Sequence, residues 1–148
     1  MERHLEPLAI AANVLQAAHC RLDTVLLTFG YLVMQYCAMT APEDRIGCSA
    51  ILDSLEKHWL AADQNVFIAT VIVNPFYRTA PFAAHPRFMN ARIKALLASL
   101  YFRFFKMHAP NDFYTEVHDF LMGSSQYSEL KATCDRHIYS LNHEVGPF

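Results

Sequence analysis

Glycine is scarce, with four copies in 148 residues, and there is neither a GxGxxG nor a GxxxxGK[ST] run. A loop that cradles phosphate needs backbone without a Cβ at several close points, so a phosphate-binding α/β enzyme is disfavoured. Cysteine is also sparse. The four copies, at 20, 37, 48 and 134, make no CxxC and no regular spacing. That pattern fits reduced thiols in nucleus or cytoplasm better than a disulfide scaffold. There is no internal repeat, no low-complexity tract and no convincing secretory signal. Charged residues are only 18%, but hydrophobic residues reach 53%, which disfavours wholesale disorder.

The longest uncharged stretch, Thr24 to Pro42, has 19 residues, near the length that spans a bilayer. It carries Tyr31, Gln35, Tyr36, three Thr and Gly30, and it lacks a flanking basic cluster. A buried core helix is expected there, and no membrane partner.

Apolar spacing elsewhere is helical. Leu5, Leu8, Ala12 and Leu15 mark a first helix over 5–19, with Pro7 expected in its first turn. Asp23 is placed to cap a second over 24–39. Thr40-Ala-Pro-Glu43 has capping-box spacing ahead of a third, which should bury Cys48, Ile51, Leu55 and Trp59. Asp63 can cap 66–73, a run whose periodicity fits strand or buried helix equally, and Asn74-Pro75 ends it. A proline-rich connector spans 74–87. A long helix from Met89 to Met107 should turn Ile93, Leu96, Leu97, Leu100 and Phe104 inward. Phe113, Val117, Phe120 and Leu121 mark a short helix closed by Gly123. Ser124 or Ser125 should start the last, with Tyr127, Leu130, Cys134, Ile138 and Leu141 on one face. The expectation is one all-α domain, 1–148, of six or seven helices.

Charge is unevenly distributed along the chain. Residues 1–63 carry net −4 and residues 112–148 net −4, whereas 64–111 hold no acid and six bases. Those bases are Arg78, Arg87, Arg92, Lys94, Arg103 and Lys106. A block of this sign can attract phosphate whatever the net charge. On an ideal helix Arg92, Arg103 and Lys106 fall within roughly 60° of one another. His85 and His108 add optional charge. Phe76, Tyr77, Phe82, Phe88, Tyr101 and Phe102 interleave with the bases, and aromatics can stack on unpaired bases while cations hold phosphates. The bland alternatives are a solvated helix face over core aromatics, or basic and acidic blocks pairing within the fold.

Catalytic and metal signatures are weak. Cys134-x-x-His137 and His19-Cys20 offer ligands, but a zinc site needs four, usually as two close pairs, and no second pair exists. Cys134 falls on an apolar stripe and reads as a buried thiol. Asp112, Glu116 and Asp119 share a helix face, which could hold a divalent cation but fits a solvated face better. No Gly-x-Ser-x-Gly turn accompanies the Ser, His and Asp present. Neither a metal nor a cofactor is expected.

Several segments together resemble hAT-superfamily transposases of the fungal type. They are Leu5-Glu-Pro-Leu-Ala, Leu15-Gln, His19-Cys-Arg-Leu-Asp-Thr-Val-Leu-Leu-Thr-Phe-Gly-Tyr-Leu, Ser54-Leu-Glu-Lys-His-Trp59 and Asp63-Gln-Asn-Val-Phe-Ile-Ala-Thr-Val-Ile-Val-Asn-Pro-Phe-Tyr-Arg78. Val73-Asn-Pro-Phe-Tyr-Arg stands where that family has its LDPRYK signature, with Asn74 and Phe76 departing from it. Asp112-Phe-Tyr-Thr-Glu-Val fits the same group. The resemblance covers nearly the whole chain. It implies the all-helical region inserted in an RNase H-like catalytic domain, without the zinc-binding BED finger, the two strand-borne catalytic Asp or the segment bearing the catalytic Glu. Two-metal phosphoryl chemistry requires converging carboxylates, so no catalytic residue is carried over. The expectation is a truncated, non-catalytic helical piece of such a transposase. Its six clustered bases would contact DNA, or it would pack on the missing transposase core. The alternative is a stand-alone helical protein–protein interaction module derived from such an element.

Overall fold

In the computed structural model, residues 2–82 and 88–144 are described, with side chains for 3–82 and 88–140. Among these residues the protein is all-helical, with seven α-helices and no strand. The helices are α1 (Glu2–Leu15), α2 (Leu22–Ala38), α3 (Arg45–Ala61), α4 (Gln64–Val73), α5 (Asn90–Phe105), α6 (Asn111–Met122) and α7 (Ser128–Glu144). The chain gathers into two compact units, 1–70 and 71–148, and the division falls inside α4. No described helix is long and apolar enough to cross a membrane.

In the first unit α1 and α3 both pack against α2. Ala11, Leu32, Tyr36 and Cys48 are buried at the centre, with Leu8, Tyr31, Met39, Ile51, Leu52 and Leu55 around them. Pro7 is not in the first turn, because α1 begins at Glu2 and the proline lies inside it, buried. A proline there has no N–H for the Arg3 carbonyl, and its ring crowds that turn. The adjacent carbonyl, of His4, accepts a hydrogen bond from the Tyr36 hydroxyl at 2.5 Å. Burial, chiefly, pushes the Tyr36 phenol above its ordinary range, with Cys48 and Tyr31 adding to the effect. Nearby, the buried Asp44 carboxylate faces His4 Nε2 at 3.0 Å and Arg3 at 3.5 Å.

Two expected caps are displaced by earlier helix starts or by turns. Helix α2 begins at Leu22, so Asp23 lies within the first turn and Arg21 occupies the cap position. Asp23 is buried and accepts from Arg21 (2.8 Å) and the Thr24 N–H (2.9 Å). The capping box at Thr40 does not form. Pro42–Asp44 makes a 3₁₀ turn capped by Ala41, with no side-chain bond, and α3 follows at Arg45. Pro42 does lead that turn, where its missing N–H is harmless. Along α3, Cys48 is buried and Ile51, Leu55 and Trp59 are half-buried, while Asp53, Glu56 and Lys57 are exposed, as the apolar spacing predicts. The ambiguous run 66–73 is helical, and the Asp63 carbonyl accepts from the Val66 and Phe67 N–H groups at its start. Asn74-Pro75 closes it. The Asn74 side chain accepts from the Phe76 N–H, and its carbonyl accepts from Tyr77 and Arg78.

In the second unit Val71, Ile72, Ile93, Leu100 and Cys134 are buried, and α5 packs on α6. Helix α6 closes on Gly123 at φ +64°, the left-handed conformation glycine adopts without strain. Ser124 does not start α7. Its hydroxyl donates to Asp119, residues Ser125–Tyr127 form a 3₁₀ turn, and α7 begins at Ser128. The Leu141 side chain lies outside the described residues.

Candidate nucleic-acid interface

The six expected phosphate contacts do not share one environment. Arg92 and Arg103 are exposed on α5, one in its first turn and one in its last. Eleven residues separate them, so they align to within about 20° and stand roughly 16 Å apart along the axis. Lys94 is half-buried. Lys106 is exposed and caps α5 in the left-handed region at φ 57°, its N–H bonded to the Phe102 carbonyl at 2.8 Å. That rotation takes its side chain off the helical screw, so the ideal-helix alignment describes Arg92 and Arg103 better than Lys106. Arg87 and His85 lie outside the described residues.

Arg78 is held inward. It is half-buried at φ 47°, its guanidinium carbon 5.8 Å from the Phe120 ring centroid. A positive φ at a non-glycine residue is strained and persists only where surroundings fix it. Its Nε is buried and makes no hydrogen bond among the described residues. The hydrogen-bonded Lys131 ammonium holds the Asp135 carboxyl below its ordinary range, and the Arg78 charge acts in the same direction.

The interleaved aromatics divide similarly. Phe82 and Phe88 stack on each other at 4.2 Å, Phe76 meets the His137 ring at 5.7 Å, and Tyr101 sits between Phe105 and Phe113. Phe102 is exposed and leans on His108. The largest departure is Phe104. Its spacing places it on the inward stripe with Leu100, yet it is 69% exposed, and Phe105 is 63% exposed. Helix α5 ends one residue later and α6 begins only at Asn111, so the apolar stripe outruns the packing beneath it. The signal that could have found this is local: Phe102-Arg-Phe-Phe-Lys-Met107 puts apolar residues on every side of one turn.

Two of the three acids on the α6 face are engaged within the fold, and Asp112 is exposed. Glu116 accepts from Gln126 and from the Tyr127 hydroxyl, and the tyrosine's bond, chiefly, raises its phenol above the usual range. Asp119 accepts from Ser124. Cys134 is buried, and all four cysteines are unpaired. Among the described residues no three His, Cys, Asp or Glu converge to hold a metal. In the first unit an open groove of about 380 Å³ runs along α2 and α3, lined by Leu26, Phe29, Val33, Leu52, Leu55 and Trp59, with Glu56 as its one charge.

The chain matches no family model, no curated protein and no solved structure.

Proposed function

We propose that the protein is a non-catalytic helical module of hAT-transposase type that contacts nucleic-acid phosphates through α5. One observation carries the reading. Arg92 and Arg103 are exposed in line on one helix, inside a stretch, 64–111, that contains no carboxylate side chain. A phosphate backbone approaching that face meets cations without a repulsive charge from the same stretch. The four unpaired thiols fit work in nucleus or cytoplasm.

The test is anisotropy of a labelled DNA duplex over roughly 50 to 200 mM salt. Arg92, Arg103 and Lys106 as three phosphate contacts would release counterions with a slope near −0.9 each, so affinity should fall about forty-fold across that range. R92Q with R103Q should reduce the slope by roughly two. Arg78→Met should leave it unchanged, since Arg78 is turned onto Phe120. Loss of slope on R78M with none on R92Q/R103Q would refute the assignment.

A second reading, of a helical protein–protein interaction module, is favoured by the apolar groove along α2 and α3. Soluble 1:1 complexes with a partner, abolished by Leu55→Glu while duplex binding stays absent, would establish it instead.

A further inference from the structure

Every residue from Phe102 to His108 is exposed. A helix that lies on a core buries one face, and α5 does so through Ile93 and Leu100. Its last turn does not. Phe102 (47% exposed), Phe104 and Phe105 emerge on different sides, with Met107 (58%) just beyond. Two of the rings are braced. Phe102 rests on His108 at 5.1 Å, and Phe105 on Tyr101 at 4.6 Å, which in turn meets Phe113 at 5.2 Å. Rings held in this way present fixed faces to solvent. Of the three, Phe104 is the most exposed (69%), and a large apolar ring left in water beside cations marks an interaction surface.

Charge selects the occupant. Arg103 lies between Phe102 and Phe104, Lys106 follows Phe105, and no carboxylate side chain occurs between residues 64 and 111. A second copy of the same patch would bring like charges together. An anionic partner with flat apolar faces satisfies both features. Duplex DNA offers the anions but keeps its base faces stacked inside. An unpaired strand offers both, because cations track its backbone while each base presents a π-face to an aromatic side chain.

We infer that the C-terminal turn of α5 binds single-stranded nucleic acid, with Phe104 as the stacking platform between the phosphate contacts of Arg103 and Lys106. This rests on the reading of α5 as a phosphate-contacting helix and names its substrate as an unpaired strand rather than a duplex.

The experiment titrates the full chain into labelled oligothymidine and into a duplex of the same length, by anisotropy at fixed salt. The strand should bind more tightly. Phe104→Ala should weaken it roughly five- to a hundred-fold, the range for losing one stacked base, and leave duplex affinity unchanged. Phe104→Leu, which keeps an apolar side chain but no ring, should lose as much. It also guards against a folding defect in the alanine variant, with circular dichroism run on both. The salt slope should stay as in the wild type, because no cation is removed. Equal or tighter duplex binding, or strand affinity indifferent to both Phe104 variants, would overturn the inference while leaving the phosphate-contacting reading intact. Binding to neither DNA would overturn both. A dimer by light scattering, or binding to phosphatidylserine vesicles, that is lost on F104A without any strand binding would reassign the patch and equally overturn the proposal.

Discussion

Removing the Tyr36 hydroxyl should cost more than one ordinary surface hydrogen bond, because the bond is buried and reaches a carbonyl in the turn that the Pro7 ring crowds. Pro7 sits inside α1 and deprives that turn of an N–H. The His4 carbonyl in the same turn takes its hydrogen bond from Tyr36, a side chain 1% exposed and 32 residues away in sequence. In Tyr36→Phe the ring stays and the donor goes. The loss is then one buried hydrogen bond, about 0.5–1.5 kcal/mol. For a chain near 150 residues melting as one, each kcal/mol lowers Tm by roughly 2–4 °C. If the 1–70 unit melts alone, the shift should be roughly twice that.

The assay is a double-mutant cycle with Pro7→Ala, read by urea denaturation and thermal circular dichroism. The P7A substitution gives the Arg3 carbonyl its N–H and relieves the ring's crowding, so the His4 carbonyl can settle onto the helix's own Leu8 N–H and depend less on Tyr36. Tyr36→Phe should therefore cost less in the P7A background, by at least about 0.5 kcal/mol, the level below which separate sites simply add. Equal costs in both backgrounds would refute the coupling of tyrosine to proline. A cost near zero in the wild-type background would refute the bond's contribution altogether.

Two further outcomes test the same kind of local packing. The Tyr36 phenol is pushed above its ordinary value, mainly by burial, so the folded state holds its proton longer than the unfolded state. The corresponding stability is fully present below about pH 10 and is lost as pH rises through the higher folded value. Alkaline titration should show tyrosinate absorbance and loss of helicity rising together above about pH 10, with Y36F less steep, and coincident profiles for the two proteins would contradict this. Gly123→Ala places a Cβ at φ +64° and drives it into the Lys131 side chain. The backbone term alone costs about 1–2 kcal/mol, so the urea midpoint should fall, and an unchanged midpoint would show that α6 can end without the left-handed turn.

Most of the helices were legible because their apolar spacing and their packing agree. Ile93 and Leu100, or Cys48 with Ile51 and Leu55, fall on the buried sides that a 3.6-residue period requires. The run 66–73 carries no such information, since residues apolar on all sides read alike in a strand or a buried helix. Its helical state is visible only in the backbone bonds from Val66 and Phe67 to Asp63. Caps were less legible, because Asp23 and Thr40 have side chains suited to capping at positions the helix starts do not use. Asp23 finds Arg21 and the Thr24 N–H instead. The basic block was visible as composition, but composition cannot distinguish Arg78, turned onto Phe120, from Arg92 on an exposed face.

That distinction separates side chains turned into the fold from those that reach its surface. In the first unit the buried carboxylates face partners of their own neighbourhood, Asp44 toward Arg3 and the His4 ring, Asp23 toward Arg21. In the second, Glu116 and Asp119 are held by the turn between α6 and α7, and Asp135 by Lys131. Such groups are used up by the fold, and changing them should register as stability. The end of α5 is organised differently. Fully burying a phenylalanine contributes about 1.5–3 kcal/mol, yet Phe102, Phe104 and Phe105 are all exposed there, with the exposed Lys106 beside them. Folding of the described residues gains little from that turn. A surface kept apolar and cationic without stabilising the chain is where binding should be sought first, and substitutions at Phe104 should change affinity while leaving Tm nearly constant.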